Sequence, residues 1–189
     1  MKPETRKEEI VRIAAKLFKE KGYSAVTMRD LAKSMGIKAA SLYNHINSKQ
    51  DILNTIIISL AEEFTEGMKS IQSSKDSCID KLKKIIELHV TISSQNIYGM
   101  ASLNNDWMHL EEQLNHYQKL RADYEDDFRA ILKEGIDSDE IVDVKPDVMM
   151  FSILTTLRSL YIWIPKKEDL NLEELSNALN LILIKGINK

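Results

Sequence analysis

The stretch Thr27–Ile46, TMRDLAKSMGIKAASLYNHI, constrains this chain more than any other. Its pattern predicts two short helices around a tight turn. Thr27 is placed to cap the first helix, with Asp30 three residues on to reach back to the cap amide. Val26 and Leu31 have the spacing of a hydrophobic staple. Met28, Leu31, Ala32 and Met35 recur on one face of a short helix. Gly36 stands where that helix must stop, and glycine accepts the left-handed backbone such a stop uses. Ile37 plugs the turn, and Leu42 and Ile46 carry the buried side of the second helix. Its other side shows Lys38, Ala39, Ala40, Ser41, Tyr43, Asn44 and His45. That face is small at its start and polar afterwards, as expected of a helix whose first turn meets base edges and whose flanks meet phosphates.

Charge points the same way. The net charge is −3, but residues 1–50 hold eleven basic and five acidic residues, a balance of +6. The remainder holds fifteen against twenty-four, or −9. A basic head on an acidic body fits a nucleic-acid contact confined to one end. Chance fluctuation of solvated charge would explain the asymmetry by itself, but not beside a helix pair of this pattern.

An ordered set of residues now matches a known family: Ala14, Leu17, Phe18, Gly22, Tyr23, Thr27, Met28, Ile37, Ser41, Leu42, Tyr43, His45, Ser48, Lys49 and Leu53, including the phrase SLYNHINSKQDIL. Over its first third the chain resembles the TetR-type transcriptional regulators. Two positions depart from the family pattern. Lys38 stands where a Ser or Thr cap is usual, and Ile46 replaces the commoner Phe. The resemblance implies an all-α fold, with a three-helix DNA-binding head at 4–64, its helix-turn-helix at 27–46, and a ligand-binding and dimerisation body at 73–189. In that reading Ala39, Ala40, Ser41 and Asn44 lie near base edges of a double-stranded operator, and Thr27, Lys38, Tyr43, His45 and Lys49 lie at phosphates.

Before the pair, Ile10, Ile13, Ala14, Leu17 and Phe18 form one apolar stripe, which predicts a helix from Glu4 to Lys21 stopped by Gly22. Scaffolding is its plain role, although Lys2, Arg6 and Lys7 stand where they could graze DNA. After the pair, Ser48 and Asp51 can cap a linking helix that runs to about Lys69. Lys49 in its first turn opposes the helix dipole, which favours a phosphate contact as its reason for being there.

The body reads as helices throughout. Ile79, Leu82, Ile85, Ile86, His89 and Val90 make a stripe, on which His89 reads as a core or pocket histidine rather than a metal ligand. Gly99 and Asn104-Asn105-Asp106 mark breaks. Leu110, Leu114, Tyr117, Arg121, Tyr124, Phe128 and Ile131 alternate four- and three-residue steps, which predicts one long helix ending near Gly135. Pro146 suits the first turn of a helix that is apolar nearly all round from Val148 to Trp163 and ends at Pro165. Asn171 caps the last helix, with Leu170 and Leu175 as its staple. Surplus apolar surface on these last two helices predicts a homodimer in which four helices close around a twofold axis; a monomer with a larger core is the other reading.

Soft apolar side chains and two cations nominate an effector site: Trp107, Tyr117, Arg121, Tyr124, Met150, Arg158 and Trp163. Each apolar one is also an ordinary core residue. A buried guanidinium needs a partner, so Arg121 and Arg158 meet either an internal carboxylate, a dimer contact or an acidic effector group. QKLRADYEDDFRAILKEGIDSDEI and RSLYIWIP also resemble a TetR subgroup that senses acyl-CoA thioesters, which implies an acyl-CoA effector.

Other chemistries find little footing. His109, Glu112 and His116 could share a helix face, but the polar residues between them read as a solvated helix start rather than a zinc site. The lone Cys78 forms no intramolecular disulfide and fits a reducing cytoplasm. No phosphate loop or nucleophile elbow is present, so neither a cofactor nor an enzyme is expected. The N-terminal residues lack a signal-peptide core. No apolar run approaches the ~20 residues of a membrane span; the nearest, Ile52–Leu60, is short and interrupted by Asn54 and Thr55. A helical adaptor without DNA binding is the competing class.

Overall fold

The computed structural model describes residues 3–186, which are helical with no extended strand among them. Lys2, a candidate for grazing DNA, lies outside the described residues. The chain forms two compact units. One comprises the residues up to Ala61 together with Tyr98–Tyr117; the other comprises Glu62–Ile97 and the chain from Gln118 onward.

In the first unit, α1 (Arg6–Lys21) starts at a capping box between Thr5 and Glu8 and buries Ile10, Ala14, Ala15, Leu17 and Phe18. A 3-10 turn, Tyr23–Ala25, leads to α2 (Met28–Ser34), which packs on α1 and on α3 (Ala39–Leu42). Gly36 in the intervening turn has φ +66°. α4 (Lys49–Gln72) begins with Ser48 Oγ accepting from the Asp51 amide at 3.0 Å. The returning carboxylate of Asp51 accepts from Asn47 N at 3.3 Å. α6 (Ile97–Asn105) also belongs here, after α5 (Cys78–Gln95) of the second unit. Gly99, expected to break the chain, lies inside α6, and the break falls at Asn96 instead. A Cβ at that position would sit 2.9 Å from Leu60 Cδ1 of α4, so that side chain would have to shift to admit one.

The single long helix expected from Leu110 is shorter at its start. α7 runs Leu114–Asp137, preceded by 3-10 turns at Trp107–His109 and Glu111–Gln113. Glu111 takes φ +48°, which no continuous helix allows. Leu110 is still fully buried, so the heptad reading found a core residue and assigned it to the wrong element.

In the second unit, α5 packs against α8 (Pro146–Arg158), α9 (Leu160–Trp163) and α10 (Leu172–Lys185). The helix expected to run unbroken to Pro165 is interrupted at Ser159. There the Ser159 hydroxyl donates to Thr155 O at 2.9 Å, competing with the helical ladder. By length and composition alone the 21 residues Pro146–Lys166 could cross a membrane, a longer stretch than the Ile52–Leu60 run that sequence put nearest to a span.

Candidate nucleic-acid interface and the polar cluster of the body

The helix-turn-helix is built from local chemistry. Thr27 Oγ accepts from Asp30 N at 3.2 Å while the Asp30 carboxylate accepts from Thr27 N at 2.9 Å and from its hydroxyl at 2.6 Å. These bonds from Thr27 hold the Asp30 carboxyl below its usual range. Val26 and Leu31 are both buried beside the cap. α3 has no side-chain cap, as Lys38 implies. Leu42 and Ile46 are fully buried and fix the helix by one side. Lys38, Ala40, Ser41, Tyr43, Asn44 and His45 are exposed on the other, Ala39 is half-buried, and Tyr43 is 54% exposed despite its ring. An exposed helix face with small residues first and polar ones after is therefore present as a surface.

Lys49 has an internal occupation. Its ammonium donates to Tyr23 O at 2.8 Å and lies 4.2 Å from the Tyr23 ring centroid. Both contacts offset its unfavourable place in the helix dipole, so phosphate contact is not needed to explain it. Tyr23 is held in turn: its hydroxyl donates to Gln50 Oε1 at 2.7 Å, and its ring stacks on His109 at 5.3 Å. Arg29 and Lys33 of α2 are exposed cations without an ion pair among the described residues, as is Lys38. The sequence reading gave Arg29 and Lys33 no role; their four-residue spacing on one helix was the available signal.

The nominated effector residues divide. Trp107 and Tyr117 stack at 5.9 Å in the first unit. Arg121, Tyr124 and Arg158 come together in the second. Arg121 Nε and Arg158 Nη2 both donate to Glu125 Oε1, at 3.0 and 3.1 Å. Burial raises the Glu125 carboxyl, but the two guanidiniums outweigh it and the net shift is downward. The internal-carboxylate reading of these arginines thus has its partner. Met150 is buried on α8, and Trp163 is 42% exposed with Lys167 over its ring at 5.0 Å. His109 and Glu112 fall in separate 3-10 turns and His116 in α7, so they share no helix face.

Tyr124 meets His89, the residue read in sequence as a core or pocket histidine. His89 Nε2 lies 2.8 Å from Tyr124 Oη, and the His89 ring packs 4.6 Å from Phe64. Burial, helped by the Arg158 charge, pushes the imidazole down to about 3, and burial pushes the Tyr124 phenol above its ordinary value. His89 is therefore neutral and Tyr124 keeps its proton at physiological pH. His89 Nδ1 has no partner among the described residues, and neither has Ser93 Oγ, one turn further along α5. Each such group left buried and unpaired costs about 1–3 kcal/mol.

An all-α chain that sets an exposed, cationic helix-turn-helix before a helical body has the architecture of a DNA-binding regulator. Two family models identify which. Residues 10–56 match the bacterial regulatory proteins of the tetR family, and residues 75–187 match the tetracyclin repressor-like C-terminal domain. The chain belongs to the TetR family and is a DNA-binding transcriptional regulator.

Among curated relatives, the HTH-type transcriptional repressor KstR2 of Rhodococcus jostii is 28% identical over 69% of this chain and 65% of its own length, just under two thirds. The fatty acid metabolism regulator protein of Bacillus subtilis is 25% identical over 95% of this chain and 94% of its own. Among solved structures, the ketosteroid transcriptional regulator KstR2 of Mycobacterium tuberculosis superposes with a TM-score of 0.92 at 20% identity, covering 100% of this chain and 97% of that one. The TetR family regulator PfmR of Thermus thermophilus gives 0.82 at 26% identity, over 95% and 99%.

Proposed function

We propose that this protein is a repressor that holds a palindromic operator as a homodimer and releases it when a fatty or related acyl-CoA occupies the body. The observation that carries the reading is the exposed face of α3, anchored by buried Leu42 and Ile46 within a head of net positive charge. Ala39, Ala40, Ser41 and Asn44 read base edges; Thr27, Lys38, Tyr43 and His45 hold phosphates, joined by Arg29 and Lys33. Lys49 belongs to the same interface, positioning Tyr23 and lending its charge. The head extends over 4–64 and the effector and dimer body over 73–189.

The dimer forms through α8 and α10. Val148, Phe151, Leu181 and Ile182 are 52%, 70%, 61% and 70% exposed in the single chain. Beside them the Ser152 and Ser159 hydroxyls donate to carbonyls one turn back, at 2.9 Å each. The same face accounts for the apolar character of residues 146–166 without a membrane. Two relatives named for repression and for fatty acid metabolism support the repressor and acyl readings. The effector acts by population shift, binding more tightly to a state whose two heads no longer match the operator. The chain works in the cytoplasm, without a cofactor and without catalysing a reaction.

Footprinting on the DNA flanking the protein's own coding region tests this. Two protected half-sites about one helical turn (~34 Å) or a multiple apart are expected. A single half-site, or none, would contradict it.

A further inference from the structure

The two unmet polar atoms of α5 lie where two neighbouring facts constrain them. His89 and Ser93 are four residues apart and so adjacent on one helix face, 4% and 0% exposed. Tyr124 retains its phenolic proton, and its oxygen lies 2.8 Å from His89 Nε2. The arrangement that satisfies the Tyr124 hydroxyl has it donate to Nε2. The imidazole proton then sits on Nδ1. His89 Nδ1–H and Ser93 Oγ–H are thus two neutral donors, one helical turn apart, buried and without an acceptor among the described residues. The charge of Arg158 reaches both His89 and Tyr124. Arg158 is 36% exposed, and its remaining N–H groups exceed what Glu125 Oε1 receives.

We infer that His89 Nδ1 and Ser93 Oγ receive the carbonyl oxygen of a bound acyl thioester. The inference rests on the effector reading of the body and adds the group that is recognised. A carbonyl oxygen has two lone pairs and no charge, which matches two neutral donors beside the Phe64 ring. A free carboxylate at the same point would be buried against an aromatic face with its charge answered only by a guanidinium already engaged with Glu125.

The test compares decanoyl-CoA with S-decyl-CoA, which differ in the thioester carbonyl, by calorimetry on the full-length protein. Wild type is expected to bind decanoyl-CoA about tenfold more tightly, the worth of one to two net hydrogen bonds. H89L and S93A are each expected to bring the two affinities closer together, chiefly by weakening decanoyl-CoA. S93A is the variant that decides if H89L fails to fold. In parallel, the His89 Nδ1 resonance should move on adding decanoyl-CoA and stay put with S-decyl-CoA. Equal affinity of wild type for the two compounds, an undiminished preference in S93A, or a stationary Nδ1 resonance, meaning an ordered water only, would overturn the inference while the effector reading stands. Binding of neither compound would remove both.

Discussion

His89 contributes to how this protein responds to acid. Its folded-state pKa, about 3, lies below the ordinary 6.5 because burial and Arg158 disfavour the charged ring. Between these values the unfolded chain takes up a proton that the folded chain refuses, so stability falls as pH drops through 6.5 and keeps falling toward 3. The slope from this group is about 1.4 kcal/mol per pH unit. Urea unfolding at pH 7, 6 and 5 should show it, and H89Q should flatten that limb; an unchanged slope would mean that His89 titrates normally. Lys49 is the second residue whose surroundings matter more than its type. With its ammonium on the Tyr23 carbonyl and ring, K49M should cost about 1 kcal/mol of stability even without DNA. Thermal melts of the free protein would reveal it, and an unchanged melt would leave phosphate contact as its main role.

At the scale of elements, sequence was informative wherever the chemistry is local. Thr27 and Asp30, and Asn171 ahead of α10, act within a few residues and their bonds are in place; Ser48 takes the Asp51 amide as read, while the Asp51 carboxylate reaches Asn47 N rather than the cap amide. Gly36 was readable for the same reason. G36A should lose about 1 kcal/mol in urea unfolding, because φ +66° forces a side chain into left-handed backbone; no loss would mean the turn relaxes. Legibility ended where partners are distant. Nothing near Lys49 announces a carbonyl 26 positions away, or near Arg158 a carboxylate 33 positions away. Glu125 four residues after Arg121 was readable and was passed over. The heptad through Leu110 was real as burial and misleading as helix, since periodicity cannot register the positive φ of Glu111. The same all-round apolar pattern that identified α8 and α10 predicts their free face: F151E with I182E should weaken dimerisation at least 100-fold by sedimentation, given two charges forced into an apolar contact. An unaltered dimer would place the interface elsewhere.

For the whole molecule, the charge asymmetry and the exposed face of α3 support the same proposal, that the head docks on duplex DNA. Lys38, Arg29 and Lys33 are exposed without an ion pair among the described residues, so neutralising them should cost affinity for all duplexes alike. The most direct measurement is the salt dependence of binding to a duplex carrying the protected site, by fluorescence anisotropy from about 50 to 200 mM salt. A slope of log K on log salt of about −4 or steeper is expected for the dimer, reduced by about 2 when K38A removes one phosphate contact from each protomer. A flat slope, or one that K38A leaves untouched, would contradict the account.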